Sequence, residues 1–167
     1  MKKVAVIMGS ASDLPAVKPA LKQLAELDIP CEVHVFSAHR TPDEAAVFAA
    51  AARGEGFCAV IAAAGKAAHL AGALAARTTL PVIGIPIKSS TLDGLDALLS
   101  TVQMPGGIPV ATVAIDGAQN AALLAAEILS VGDDALAQRL DGLRWAQQAA
   151  VLAKDAALQD EWKDLLN

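Results

Sequence analysis

Short apolar runs rich in Val, Ile and Ala alternate along this chain with stretches whose apolar residues recur at helical spacing. Val4 to Met8 is a continuous run of the kind found in a strand buried on both faces, and Asp13 to Leu27 then sets Val17, Leu21 and Leu24 on one helical face. The same alternation predicts strands over Cys31–Phe36, Phe57–Ala62, Val82–Ile85 and Val110–Ile115. It predicts helices over Asp43–Arg53, Ala67–Arg77, Leu92–Val102 and Ala118–Leu129, with Pro42 suited to a first helical turn. Five β-α units joined by short connections imply an α/β fold: a parallel five-stranded sheet covered on both faces, because right-handed crossovers put the helices there. Asp133 to Asn167 is a further helical stretch, in which Leu136, Leu140 and Leu143 make an apolar stripe and Trp145 and Trp162 follow. A helix left over once the sheet is covered is expected at a subunit contact, with packing back on its own chain as the alternative. The chain reads as one domain, with 1–132 carrying the sheet and 133–167 as a C-terminal helical extension of it.

Composition narrows the class. Hydrophobic residues make up 54% of the 167, yet aromatic residues only 3% and tyrosine is absent, so the core is built from small aliphatic side chains that need close backbone packing. The net charge of −5 argues against a nucleic-acid binder, which needs a basic face to displace counterions. The opening MKKVAVIMGS has too short an apolar run for a secretory leader, and no apolar segment is long enough to span a bilayer. Cys31 and Cys58 both fall in strand-like runs and are expected as buried free thiols, with a reducing cytoplasm as the setting.

Ligands of open α/β sheets bind beyond the carboxyl ends of the strands, and three of those ends carry chemistry. After the first strand comes MGSASD: Gly9 permits close backbone approach, Ser10 and Ser12 offer hydroxyls, and Ser12 or Asp13 can cap the helix whose first N–H groups suit an anion. It is neither a P-loop nor a GxGxxG turn. After the second strand comes SAHRTP, where Ser37 and Arg40 can hold a phosphate and His39 can exchange a proton near neutral pH. His34, inside the strand, reads as structural. After the third strand comes AAAGKAAHLAG, in which Ala62, Ala63, Ala64 and Gly65 leave room for a flat ligand and His69 falls on the first turn of the next helix. The Gly- and Pro-rich PIKSSTLDG and VQMPGGIPV are expected to form a rim.

MGSASD, SAHRTP, GKAAHLAG, LLSTVQMPGGIPVATVAI and NAALLAAEIL, in this order from about Val4 to about Leu129, resemble the PurE family, in particular the N5-carboxyaminoimidazole ribonucleotide mutases of bacterial de novo purine synthesis. The resemblance implies a flavodoxin-like three-layer αβα fold assembled as a homo-octamer, acting on a small ribotide without metal, nucleotide or organic cofactor. By that likeness Ser10, Ser12, Ser37 and Arg40 hold the ribotide phosphate and Asp13 the ribose hydroxyls. His39 is the general acid/base, paired with His69 in the catalytic set, and Ala67, His69 and Leu70 surround the imidazole ring of the substrate. Gly9, Ala38, Gly65 and Lys66 complete the substrate-binding set.

The reaction so implied moves a carboxyl group from N5 to C4 by loss of CO2 and its recapture inside a small dry pocket, with His39 removing the C4 proton. Two rival readings have their own signatures. The sister carboxylase, which takes free CO2, tends to carry Lys in place of Arg40 and to lack the AAHL segment. A non-catalytic flavodoxin-like nucleotide-binding module would show an acidic cluster or aromatic residues at the strand ends. Lys66 is the clearest departure from the family pattern, which usually has Gly or Met there. Its four-carbon stem lets the charge reach solvent, and this reading is preferred to a contact with the substrate carboxylate.

Overall fold

A computed structural model describes residues 2–165. Contacts divide the chain into two compact units, one ending at Leu129 and the other starting at Ser130. The first unit holds five strands, β1 (Lys3–Met8), β2 (Cys31–Val35), β3 (Phe57–Gly65), β4 (Val82–Ile87) and β5 (Ala111–Thr112). It also holds α1 (Leu14–Glu26), α2 (Pro42–Ala51), α3 (Leu70–Ala75), α4 (Leu95–Val102) and α5, which runs Ala118–Ser130 across the boundary. All pairings are parallel, in the order β2-β1-β3-β4-β5. This is the doubly wound order in which the chain turns back between β1 and β3, and the crevice of such a sheet lies at that reversal.

Small side chains bring the layers together. On α5, Ala118, Ala121, Ala122, Ala125 and Ala126 are all fully buried, a helical face made of methyl groups until Leu129 near its end. On the other face of the sheet α2 presents Ala45 and Ala49, with Ala52 at its end, to a cluster with Ala5, Ile7, Val60, Ala62, Leu70 and Leu74. Gly84 shows how close the layers come, since a Cβ there would lie 2.4 Å from Thr101 Cγ2 on α4 and 3.4 Å from Ala71 Cβ on α3. On the α1 and α5 side, Gln119 Nε2 donates to the buried Gln23 Oε1 at 2.8 Å.

The elements fall where the periodicity puts them, with four differences. The third strand continues past Ala62 to Gly65, because Ala63, Ala64 and Gly65 pair with Ile85, Pro86 and Ile87; tertiary pairing overrides the helical propensity of alanine. The third helix is correspondingly short, starting at Leu70 after Lys66 turns the backbone left-handed at φ 55°. The fifth strand shrinks to Ala111–Thr112 at the sheet edge, although Val113 N and Asp116 N still donate to Gly84 and Pro86 carbonyls at 3.1 and 2.9 Å. On α1, Val17 and Leu24 are buried but Leu21 is only half-buried, the inner face being completed by Ala20 and Gln23.

The thiols also differ from expectation. Cys31 and Cys58 are free but only half-buried, since β2 is an edge strand with Val33 and Val35 exposed and the register beside Cys58 is irregular. Partial burial pushes both thiols up from their ordinary pKa. His34 packs among aromatic rings, stacked on Phe36 with centroids 5.4 Å apart and tilted against Phe48 at 5.1 Å.

The second unit contains α6 (Asp134–Leu165), entered through Asp133, whose Oδ1 accepts from Leu136 N at 3.0 Å in the manner of an N-cap. Val151, Leu158, Trp162 and Leu165 recur along one line of this helix and are exposed. No helix among the described residues is long and apolar enough to cross a membrane.

Candidate active site

The carboxyl ends of β1, β2, β3 and β4 open into one cavity of about 830 Å³. It gathers the whole catalytic and substrate-binding set expected from the sequence: Gly9, Ser10, Ser12 and Asp13 after β1, Ser37, Ala38, His39 and Arg40 after β2, and Gly65, Lys66, Ala67, His69 and Leu70 after β3.

On the β1 and β2 side the hydrogen bonds leave donors pointing outward. Ser10 Oγ accepts from Ser12 N at 3.3 Å and from Ser12 Oγ at 2.8 Å, and Ser37 Oγ accepts from the backbone N–H groups of His39 and Arg40 at 3.3 and 3.1 Å. A hydroxyl whose lone pairs are engaged keeps its proton to give. Arg40 lies over both loops, with Nε 3.5 Å from Ser37 Oγ and Nη2 3.5 Å from the Gly9 carbonyl. The Ser37 turn is itself fixed, its N–H donating to Thr41 Oγ1 at 2.8 Å and its carbonyl accepting from Thr41 N at 2.9 Å. Two hydroxyl protons and a guanidinium at one end of a cavity suit a phosphate.

Asp13 stands beside this cluster. Burial pushes its carboxyl up from the ordinary value, with the Ser10 backbone and the Ser12 side chain opposing the rise. A carboxylate next to an anion site repels a second anion and suits neutral hydroxyls, whose protons it can accept.

Across the cavity His39 Nε2 lies 2.8 Å from His69 Nδ1, the two rings edge to face with centroids 5.0 Å apart. Such a contact requires one nitrogen to carry the proton and the other to be bare. Moving that proton along the contact interchanges the bare and protonated nitrogens of the pair. His69 is the residue before the first turn of α3, not on it, because Lys66 to Ala68 form a loop that carries the ring toward β2. Lys66 is exposed and makes no ion pair among the described residues.

The remaining wall differs from the sequence reading. Ala64 and Gly65 line the cavity but Ala62 and Ala63 do not, because the strand continues and buries them in the sheet. Of the two loops expected at the rim, PIKSSTLDG contributes Ile87, Lys88 and Ser89, while VQMPGGIPV lies at the opposite edge of the sheet, with Met104 against Gly72. Asp116, after β5, is a wall residue that the sequence reading missed. Its Oδ1 accepts from Lys88 N at 2.9 Å, and its backbone is left-handed at φ 55°. An Asp-Gly pair directly after a predicted strand was the available signal. Ser10, not Ser12 or Asp13, caps the turn before α1. Among the described residues no group of three or more His, Cys, Asp or Glu side chains could hold a metal ion.

The chain matches the family model described as AIR carboxylase over residues 3–150. It is 56% identical over 144 residues to an N5-carboxyaminoimidazole ribonucleotide mutase of Pyrococcus abyssi, covering 86% of this chain and 83% of that one. It is 48% identical over 168 residues to the protein of the same name in Thermotoga maritima, covering 100% and 98%. Among solved structures, PurE of Treponema denticola superposes with a TM-score of 0.85 at 26% identity, over 95% of this chain and 99% of that one. A family model spanning most of the chain, relatives this similar over nearly their whole lengths, and a shared fold lead to one conclusion: the chain belongs to the AIR carboxylase family.

Proposed function

We propose that this protein is an N5-carboxyaminoimidazole ribonucleotide mutase, an isomerase of purine biosynthesis that moves the carboxyl group of its ribotide substrate from N5 to C4. The observation that carries the site assignment is the meeting of the His39–His69 pair and the Ser10, Ser37 and Arg40 donors, with Ser12 beside them, in one cavity. The names of the relatives carry the choice of reaction.

The ribotide phosphate takes the two outward hydroxyl protons and the Arg40 guanidinium, and Asp13 accepts from the ribose hydroxyls. The imidazole lies between Gly65, Ala67, Leu70 and the histidine pair. The N5–carboxyl bond breaks with its electron pair left on nitrogen, which takes a proton from His39, and CO2 is released into the cavity. The resulting aminoimidazole is an enamine whose C4 attacks the held CO2 to form the new carbon–carbon bond. The C4 proton then goes back to His39 and the ring regains its aromaticity. One group gives a proton and recovers one, so the cycle is balanced without solvent. Holding CO2 beside C4 replaces a bimolecular capture by a proximate one.

The protein works as a cytoplasmic homo-octamer in this reading. The exposed Leu95, Leu99 and Val102 on α4 and the apolar line on α6 support association. A crystal soaked with the C4-carboxylated ribotide tests the site: its phosphate is expected on Ser10, Ser12, Ser37 and Arg40, and a phosphate bound elsewhere refutes the assignment.

A further inference from the structure

A second cavity, of about 840 Å³, lies at the amino ends of β4 and β5, the opposite edge of the sheet from the active site. Arg53, just beyond the end of α2, and Arg77, just beyond the end of α3, both line it, with Thr78 and Thr79 between the second arginine and β4. No carboxylate among the described residues lies within ion-pair distance of either guanidinium. A cation after a helix end is favoured by the helix dipole, which accounts for either arginine alone. It does not account for two unpaired guanidiniums in one groove of a chain whose net charge is −5, where they repel each other.

The polar wall consists of donors. Arg53 Nη2 is anchored on the Thr79 carbonyl at 3.1 Å and Thr79 Oγ1 at 3.0 Å, which fixes its guanidinium plane. Thr79 Oγ1 therefore already accepts, and Thr78 Oγ1 accepts from Leu80 N at 3.2 Å. Each hydroxyl keeps its proton to donate, while the Arg77 side chain has no hydrogen-bond partner among the described residues. Two forked cations and two hydroxyl protons exceed what one carboxylate can accept and match the several oxygens of a phosphate group. Pro81 and Ile108 add an apolar wall.

We infer that this groove is a second, non-catalytic binding site for a small phosphorylated molecule, with Arg77 as its principal anion contact and Pro81 and Ile108 against the apolar part of the ligand. Calorimetric titration of the full chain with inorganic pyrophosphate tests it, with Arg77→Gln, Thr78→Val and Arg40→Gln measured alongside wild type. A site of millimolar or better affinity is expected, weakened about tenfold or more by Arg77→Gln, weakened less by Thr78→Val and insensitive to Arg40→Gln. Arg77→Gln leaves basal turnover unchanged. The inference is overturned if wild type binds no pyrophosphate in the millimolar range, as it would with the groove sealed by a second copy of the chain. It is equally overturned if, with the active-site anion contact removed by Arg40→Gln, no binding remains or the remaining binding survives both groove substitutions.

Discussion

His39 Nε2 and His69 Nδ1 lie 2.8 Å apart, so one proton serves two rings contributed by the loop after β2 and the loop before α3. In that geometry the pair cannot hold two imidazolium charges at the contact, since two N–H groups would then face each other. A proton taken by one ring can be matched by a shift to the other. His39→Asn keeps the phosphate and ribose contacts and removes the exchangeable proton. Turnover is expected to fall by about 10²–10⁴-fold or more, with ribotide affinity changed by no more than about tenfold. His69→Leu should lower kcat by less and alter the pH profile while leaving the KM for ribotide nearly unchanged. Steady-state kinetics and product titration on the two variants check both statements, and near wild-type turnover in His39→Asn removes that residue from the mechanism.

Asp13 sets stability against binding. Its carboxyl titrates above the ordinary value in the folded chain because burial penalises the charged form. The folded state therefore holds more protons than the unfolded one between the two pKa values, and stability is lost as pH rises through that window. Asp13→Asn should raise the Tm of the ligand-free protein at neutral pH, with the difference vanishing in acid, and should weaken ribotide binding through loss of the hydroxyl acceptor. Paired thermal melts at neutral and acid pH read the first effect. A lower Tm for the variant at neutral pH contradicts it.

Lys66 occupies a backbone position that glycine fills without strain. A non-glycine residue at a left-handed φ of 55° costs about 1–2 kcal/mol, against about 0.5–1 kcal/mol for the extra chain freedom of glycine. Lys66→Gly is therefore expected to stabilise the protein by about 0.5–1 kcal/mol in denaturant melts. Lys66→Met keeps the strain and should leave turnover and its pH profile little changed, since the ammonium is exposed and unpaired. A large kinetic change in folded Lys66→Met would place the lysine in the chemistry.

Much of this was legible in the sequence because small aliphatic side chains leave little ambiguity about which runs are buried between layers. The five strands, their order of appearance and three of the four strand ends that form the cavity follow from the alternation, and the serines, His39 and Arg40 mark themselves by residue type. What was not legible depends on pairing between distant segments. Ala63 and Ala64 look like the open end of a strand until Ile85 and Pro86 are paired beside them. His69 looks helical until Lys66 turns left-handed. Asp116 belongs to the wall only because β5 lies next to β4, and VQMPGGIPV leaves the rim for the same reason. Cys31 is less buried than its apolar neighbours suggest because nothing in the local pattern says that β2 is an edge.

Of the glycines, Gly84 is the one where an added methyl group would meet its neighbours most closely. A methyl group there would lie 2.4 Å from Thr101 Cγ2 and 3.0 Å from Val110 Cγ1, so Gly84→Ala forces α4 or β5 to shift. Overpacking of this kind is expected to cost about 1–3 kcal/mol, measured as a lower denaturant midpoint at unchanged slope. Unchanged stability would mean that α4 yields more easily than the close packing indicates.

In the proposed reaction the carboxyl group leaves N5 and returns to C4 within one cavity. Unlabelled N5-carboxyaminoimidazole ribonucleotide given to the enzyme in medium containing labelled bicarbonate, and sampled during the first turnovers, tests it most directly. The mechanism predicts that the C4 carboxylate of the product carries little label, because the CO2 released is the CO2 recaptured. Equilibration of label into that carboxylate from the outset would mean that CO2 exchanges with solvent before capture, and would contradict the account.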